Sequence, residues 1–453
     1  MASVRMFVSD SNKLLSESNN FSVYTAKELD RSSGLIVEIE RNSKRHTVVG
    51  FGAALSGSSC YNLYKMNSDV REKAMASFFT ESEGIGLNIT RQAIGVTDFA
   101  YEYYTYDDIP EGETDFELKH FSIEKDKEYI IPQIKKAKEL NPDLIVCGSI
   151  WSPPLWMKSL YEWDTVNAAV LRPECYDVYA RYLVKCIRAY EAEGIHFDFL
   201  TPQNEPFGKH PIPACYYDRD TMADLVINHI VPTFKKEGIT TKVFAYDFNL
   251  WTDTAIDFIN PQSEYVDGIA MHYYGTEFKS VRNVHNAFPK LPLYITECGS
   301  PYERRYDSII DPILSTVGDI TSALNYGANA YIRWNYVLDD KGGPSDPRNG
   351  NDVCEGIITY HPNTKTTTFG SGYYGIGHFS KFVRPGAKVL ECTDLNEDES
   401  RKYYAFAAEN TDGSVATVIA NTTEDPKTYE LILDDTVVEC TLNGKSVATI
   451  VLK

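Results

Sequence analysis

The chain has 453 residues, more than one small domain needs, and its 43% hydrophobic and 24% charged residues describe an ordinary globular protein. A formal net charge of −20 argues against nucleic acid and anionic membrane surfaces as partners and favours a neutral or cationic ligand. Nine scattered cysteines without metal-type spacing fit reduced packing residues in a reducing compartment better than a disulfide framework.

Met1 to Leu15 shows no charged segment followed by a continuous apolar core, and no later apolar run approaches membrane-spanning length. The expectation is a soluble, cytoplasmic protein without integral membrane contact; secretion would require a leader that has been removed. Residues 1 to about 45 alternate apolar and polar (Val4-Met6-Val8, then Leu35-Val37-Ile39), which predicts strands exposed on one face.

From Thr47 onward the texture changes. Short apolar strands are predicted at 47–53, 85–94, 144–150, 196–202, 242–248, 266–274, 292–297 and 329–337. Amphipathic stretches lie between them, among them Lys127 to Leu140, Tyr176 to Glu193 and Thr221 to Lys236. Eight strands alternating with helices predict an α/β fold, a (β/α)8 TIM barrel over 46–383. A doubly wound open sheet is the rival, disfavoured because no Gly-rich phosphate loop follows the first strand. Beyond about residue 383 the helical patterns stop. Short alternating strands (Tyr403 to Ala407, Ser414 to Ile419, Thr428 to Leu433, Ser446 to Leu452) predict a β-sandwich-like module. The N-terminal strands have no partners in the barrel pattern, so the side domain is expected to combine 1–45 with 384–453.

Two of the apolar strands end on carboxylates. His196 to Leu200 runs into Thr201-Pro202-Gln203-Asn204-Glu205-Pro206, and a second strand delivers Leu293-Tyr294-Ile295-Thr296-Glu297-Cys298-Gly299. Asn-Glu-Pro alone reads as a turn with an exposed glutamate; the second strand-end glutamate changes that. By the strand count Glu205 closes the fourth barrel strand and Glu297 the seventh, so both point into one pocket at the barrel's C-terminal face. A retaining glycosidase needs such a pair about 5–5.5 Å apart, one carboxyl protonating the leaving oxygen and the other attacking the anomeric carbon. The acid should stay protonated near neutral pH and the nucleophile ionised, so positive or hydrogen-bonding groups are expected around the latter.

The motifs around these strands carry a resemblance. They are Gly50-Phe51-Gly52-Ala53-Ala54-Leu55; Arg91 through Asp98-Phe99 with Tyr104-Thr105-Tyr106; Trp151-Ser152-Pro153-Pro154-Leu155-Trp156-Met157-Lys158; and Thr201 to Pro206. Further on come Met271-His272-Tyr273-Tyr274, Thr296-Glu297, Trp334-Asn335 with Gly342-Gly343-Pro344 and Arg348-Asn349, and Gly377-His378-Phe379-Ser380-Lys381-Phe382. Taken in this order they resemble glycoside hydrolase family 30, most closely its glucosylceramidase-like branch.

The resemblance implies Glu205 as acid/base and Glu297 as nucleophile, the residues that the strand reading also selects. It implies Asn204 on the sugar's 2-hydroxyl, Arg91 beside Glu297, Asp98 on the outer hydroxyls, and Trp151 and Trp334 as pocket walls. A buried structural ion pair is the plainer reading of Arg91, and core packing that of the tryptophans. Tyr274 is expected to hydrogen-bond the nucleophile; His272 is equally a pocket residue or a satisfied structural histidine. Asn349 reaches substrate only if its loop folds inward, and Cys298 is taken as packing. The loop Phe207 to Tyr217, with Lys209 and His210, and Ser345-Asp346-Pro347 match no family pattern and should shape the entrance. No metal cluster is visible in the sequence, and this chemistry calls for no cofactor.

The expected activity is retaining hydrolysis of a β-linked glycoside or oligosaccharide, with release of a terminal β-glucosyl unit from glucosylceramide or another β-glucoside. Within the same family a β-xylosidase, a β-fucosidase or an endo-acting β-1,6-glucanase or xylanase is the alternative. From another class, a carbohydrate-binding barrel without activity is disfavoured by the presence of both glutamates. A metal-dependent barrel hydrolase would differ in its sensitivity to chelators.

Overall fold

The computed structural model describes residues 3–26, 34–274, 278–299, 308–346, 354–396 and 400–453. Eight parallel strands close into a barrel: β1 (Gly50–Ala54), β2 (Ile89–Ala93), β3 (Ile145–Ser149), β4 (Phe199–Thr201), β5 (Lys242–Asn249), β6 (Gly268–Tyr273), β7 (Leu293–Cys298) and β8 (Ala328–Arg333). They are the eight strands read from the sequence, in the same order. Their side chains are nearly all buried, because helices cover the outside while side chains fill the inside.

The barrel interior explains where the site lies. Ile89, Cys147, Phe199, Phe244, Ala270, Tyr294, Ala330 and Ile332 form one apolar plug, with Phe199 and Phe244 stacked at 4.4 Å. Two residues further along a strand the side chain points inward again. At those positions the sequence turns polar: Ile89 is followed by Arg91, Cys147 by Ser149, Phe199 by Thr201, Ala270 by His272 and Tyr294 by Thr296. A dry plug therefore lies beneath a layer of hydrogen-bonding groups at the C-terminal mouth.

Three predicted elements differ in detail. The stretch Lys127 to Leu140 is divided between two helices, Glu124–Tyr129 and Ile131–Leu140, because Pro132 opens the second and cannot donate to the first. The helical stretch predicted from Thr221 spans Arg219 to Glu237 and carries a wide π turn at Leu225–Ile230, just ahead of Pro232. The eighth strand ends at Arg333 rather than 337; Asn335 has a φ of 58°, and Val337–Asp339 opens a separate sheet with Ile358–His361 and Thr366–Phe369.

Ten strands from both ends of the chain form the side sheet, in the order Ser16–Ser18, Val4–Ser9, Ser446–Leu452, Val415–Asn421, Tyr403–Glu409, Lys388–Cys392, Leu35–Thr47, Lys427–Leu433, Thr436–Leu442, Phe21–Thr25. Val438 and Cys440, from one end of that order, share an apolar cluster with Ala448 and Ile450 from the other, so the sheet folds over on itself into two layers. Tyr403–Glu409 serves two cores by alternation. Ala405 and Ala407 face the inside of the sandwich, whereas Phe406 and Ala408 join the barrel core beside the helices Ile310–Asn325 and Ser371–Ser380. His378 of the latter helix is buried between Ser9 Oγ and Thr449 Oγ1, each 2.8 Å from a ring nitrogen. Within 384–453 two strands escaped the sequence reading, Lys388–Cys392 and Thr436–Leu442. The latter follows its partner after only Asp434-Asp435, a turn too short to separate two runs by composition.

All nine cysteines are unpaired. Cys298 is buried, with its thiol turned to the Ile332 carbonyl, as packing predicts. Among the described residues no helix is long and apolar enough to cross a membrane.

Candidate active site

Arg91 stands at the centre of the polar layer, fully buried in the middle of β2. Its Nη1 meets Glu297 Oε2, and its Nη2 donates to Asn204 Oδ1 at 2.7 Å, Asp247 Oδ2 at 2.8 Å and Ser149 Oγ at 3.1 Å. The guanidinium also lies over the Trp151 ring, 4.6 Å from its centroid. A guanidinium removed from water is tolerable only when anions surround it, and here burial is outweighed by Asp247 and Glu297, which hold it firmly protonated. The two readings of Arg91 coincide: the buried ion pair is also the contact to Glu297.

Asp247 was not singled out from the sequence. It sits at a β-bulge of β5, where Ala270 pairs with Tyr246 and the next residue, Met271, pairs with Phe248. The extra residue breaks the alternation, and φ values of 81° at Tyr246 and 53° at Asp247 show the local turn that re-aims the carboxylate. Its Oδ2 accepts from Arg91 and Ser149, and its Oδ1 accepts from Thr296 Oγ1 at 2.8 Å and lies 3.0 Å from His272 Nε2. Burial alone would raise its pKa; Arg91 and His272 push it far below the usual carboxylate range. Ser149, Thr201 and Thr296 complete this network; Thr201 and Thr296 lie in the motifs around the two glutamates, whereas Ser149 shows in the sequence only as a polar residue in an apolar strand.

Glu205 follows β4 in a left-handed conformation, with φ of 48°, and its N–H donates to the Asp247 carbonyl at 3.0 Å. Its Oε1 lies 3.2 Å from His272 Nδ1, and its Oε2 lies 2.9 Å from His210 Nε2. His272 thus spans from Glu205 to Asp247, neither a bystander nor an isolated ligand. Burial would lower its pKa, but Glu297 and Asp247 raise it to about 9, so the ring is an imidazolium at neutral pH. Positive groups were anticipated around Glu297 alone, with Glu205 protonated; instead His210 and His272 outweigh burial and hold Glu205 well below the ordinary carboxylate range.

Across the mouth, β7 carries Glu297. A second bulge, where Met271 pairs with Ile295 and His272 with Glu297, leaves Thr296 as the extra residue and turns Glu297 into the pocket. Tyr274 Oη donates to Glu297 Oε1 at 2.8 Å, so Arg91 and Tyr274 between them satisfy both carboxylate oxygens. His272 is the register partner of Glu297 and feels its charge, while its ring reaches Glu205, so one imidazole couples the two glutamates.

Trp151 and Trp334 stack at 5.3 Å and 24°, both almost wholly buried, and back the pocket behind Arg91. Asn204 has its carbonyl committed to Arg91, which leaves the NH2 as the half available to a hydroxyl. Asp98 is half-buried on the loop after β2, where its backbone carbonyl accepts from Asp346 N–H at 2.7 Å. Asn349 lies outside the described residues. Among the described residues no group of three His, Cys, Asp or Glu side chains could hold a metal ion.

Two carboxyls at the same barrel mouth, one clamped by a cation and a phenol, one placed between imidazoles, form an arrangement suited to acetal chemistry. Comparison with known proteins agrees. The model of the glycosyl hydrolase family 30 TIM-barrel domain matches residues 48–383, and that of the same family's beta sandwich domain matches residues 386–450. An endo-1,6-β-D-glucanase of Aspergillus fumigatus is 29% identical over 414 residues, covering 86% of this chain and 81% of its own. The lysosomal acid glucosylceramidase of Mus musculus is 27% identical over 414 residues, covering 86% of this chain and 78% of its own. Among solved structures, an endo-β1,6-glucanase superposes with a TM-score of 0.86 at 28% identity, over 99% of this chain and 98% of that one. SrfJ from Salmonella typhimurium shares the fold, with a TM-score of 0.90 at 23% identity over 100% of this chain and 99% of that one. With its barrel and its side sheet matched in turn by the two domains of one family, this chain belongs to glycosyl hydrolase family 30.

Proposed function

We propose that the protein is a retaining β-glycosidase in which Glu297 attacks the anomeric carbon and Glu205 serves as acid and then base. The observation that supports this reading is that Glu205 and Glu297 both act on His272, the first by contact and the second through its charge, with Arg91 and Tyr274 holding the Glu297 charge. In the first step the Glu297 carboxylate forms a bond to the anomeric carbon while the glycosidic oxygen leaves with a proton from Glu205. In the second, water attacks the same carbon, Glu205 takes its proton and the Glu297 ester is released. In this reading the Asn204 amide takes the 2-hydroxyl and Asp98 hydroxyls further out, the roles that the family resemblance implies.

For the substrate, the reading is a β-1,6-linked glucan. Three relatives named endo-1,6-β-D-glucanase are 28–29% identical and cover 85–86% of the chain. A second reading, glucosylceramide, is favoured by exposed Leu160 and Val166 on the loop after β3, which would suit a lipid tail at the entrance. Relatives from Caenorhabditis elegans whose names assign them as glucosylceramidases match over up to 91% of the chain. Release of reducing ends from linear β-1,6-glucan, beside turnover of an aryl β-glucoside and of glucosylceramide in detergent, separates these. Mechanism is tested by trapping with a 2-deoxy-2-fluoro-β-glucosyl fluoride. The adduct is expected on the peptide containing Glu297, and an adduct on another carboxylate would overturn the assignment.

A further inference from the structure

The loop from Phe207 to Tyr217, for which the sequence offered no family counterpart, brings His210 back over the residue that precedes it by five. Its Nε2 is 2.9 Å from Glu205 Oε2, off the line of an ordinary hydrogen bond, and buried with no other partner. Nothing about this placement is loose. Thr165, on the loop after β3, donates its N–H to the His210 carbonyl at 3.1 Å and its hydroxyl to the Gly208 carbonyl at 2.8 Å, and accepts from the His210 N–H at 2.9 Å. The buried ammonium of Lys158 ties the far end of the loop through the Ala214 carbonyl at 2.8 Å. Gly208 is what lets the ring fold back, since a methyl group built there would run into the imidazole.

Several charged groups face this ring. Glu205 comes from the end of β4, Asp98 from the loop after β2 and Glu297 from β7; His272 of β6 lies behind Glu205. Lys209 beside it is exposed, Phe248 of β5 offers only a ring at 6.1 Å, and Asp164 next to Thr165 turns its carboxylate to the Val166 N–H. Against the penalty of burial, the three carboxylates raise the His210 pKa above its ordinary value.

We propose that His210 is a positioning residue that shares a single proton with Glu205 and so stores the proton which the leaving group receives. This rests on the acid/base reading of Glu205. At rest the proton is on Nε2 of an imidazolium facing a carboxylate. When a substrate displaces water around the pair, the Nε2–H bond breaks and an Oε2–H bond forms, leaving neutral imidazole and neutral acid. That proton then passes to the glycosidic oxygen as its bond to the anomeric carbon breaks and the electron pair goes to oxygen. In the second step the proton of the attacking water returns through Glu205 to His210. The resting and reactive forms hold the same number of protons, so a carboxyl that is ionised at rest still acts as an acid at neutral pH.

The consequence is a sign. If the proton is shared, the alkaline limb of kcat/KM follows His210, and removing the ring hands that limb to the carboxyl itself, at lower pH. If His210 were only a neighbouring cation depressing Glu205, its removal would raise the carboxyl and move the limb to higher pH. The experiment compares pH profiles of wild type, His210→Gln and Gly208→Ala on an aryl β-glucoside with a poor leaving group. Both variants are expected to move the alkaline limb down by at least about one pH unit, a tenfold loss at the alkaline end. Turnover of a dinitrophenyl β-glucoside, which leaves without a proton, should persist and report a folded site. An alkaline limb that stays in place or moves up overturns the proposal. Glu205→Gln is run alongside: if it too spares poor leaving groups, the acid/base reading itself fails, whereas sensitivity there with an unmoved limb in His210→Gln removes the proton sharing alone.

Discussion

Asp247 Oδ2 lies 2.8 Å from Arg91 Nη2, and neither side chain exposes more than 1% of its surface. The same carboxylate orients His272, so one buried anion aligns the guanidinium that faces Glu297 and the imidazole that faces Glu205. Asp247→Asn removes the charge and keeps the shape, leaving Arg91 without its second anion. Unfolding by denaturant should show a loss of about 3–5 kcal/mol, together with a fall in kcat/KM; a variant as stable and active as wild type would show the pair to be idle.

Tyr274 donates to Glu297 at 2.8 Å from a position with some exposure to the pocket. Tyr274→Phe keeps the ring and deletes the donor. A hydrogen bond to a charged group contributes about 1.5–3 kcal/mol to the folded state, so the melting temperature should fall, and with the donor to the Glu297 carboxylate gone kcat/KM should fall as well, roughly a hundredfold. Steady-state kinetics beside a thermal melt checks both halves.

His378 links the barrel to the side sheet as a neutral ring, its pKa lowered by burial to about 3 from 6.5. Below pH 6.5 the unfolded chain takes up a proton that the folded chain refuses, so this contribution is intact above 6.5 and is lost as the pH falls toward 3. The loss should reach about 2 kcal/mol by pH 5. Denaturant midpoints measured from pH 8 to pH 4 should fall more steeply for wild type than for His378→Gln; parallel slopes would contradict this account.

Gly52 of β1 is the register partner of Ile89, and a methyl group built on it would meet the Ile89 carbonyl. Backbone does not yield as a side-chain tip does. Gly52→Ala is expected to lower stability by about 1–3 kcal/mol through overpacking, read as a lower denaturant midpoint with an unchanged slope.

The barrel was legible because parallel strands buried on both faces are written as short apolar runs, and eight such runs between amphipathic stretches leave few alternatives. Glu205, Glu297 and Tyr274 could be named because each stands at or just past a strand end within a recognisable motif, and Arg91 because the motif around it is recognisable. Asp247 could not. In Lys242–Asn249 strict alternation sends Phe244 and Tyr246 inward and Asp247 outward, and only the bulge reverses it. The one available signal was a carboxylate inside an otherwise apolar run. His210 was hidden for another reason: a loop has no period, so nothing in its composition tells which ring turns back to the pocket. Pro132 and Pro232 show the milder case, where the helical pattern was right and the backbone's missing donors redrew the boundaries.

The side sheet places Val4–Ser9 directly against Ser446–Leu452. During synthesis the early strand must therefore wait, unpaired along that edge, until the ribosome has delivered a partner more than four hundred residues later. The strands that cover the helices Ile310–Asn325 and Ser371–Ser380 also emerge after those helices. The nascent barrel thus carries a sticky apolar flank for much of its assembly, and a chain stalled before residue 446 would be a species for chaperones to shelter.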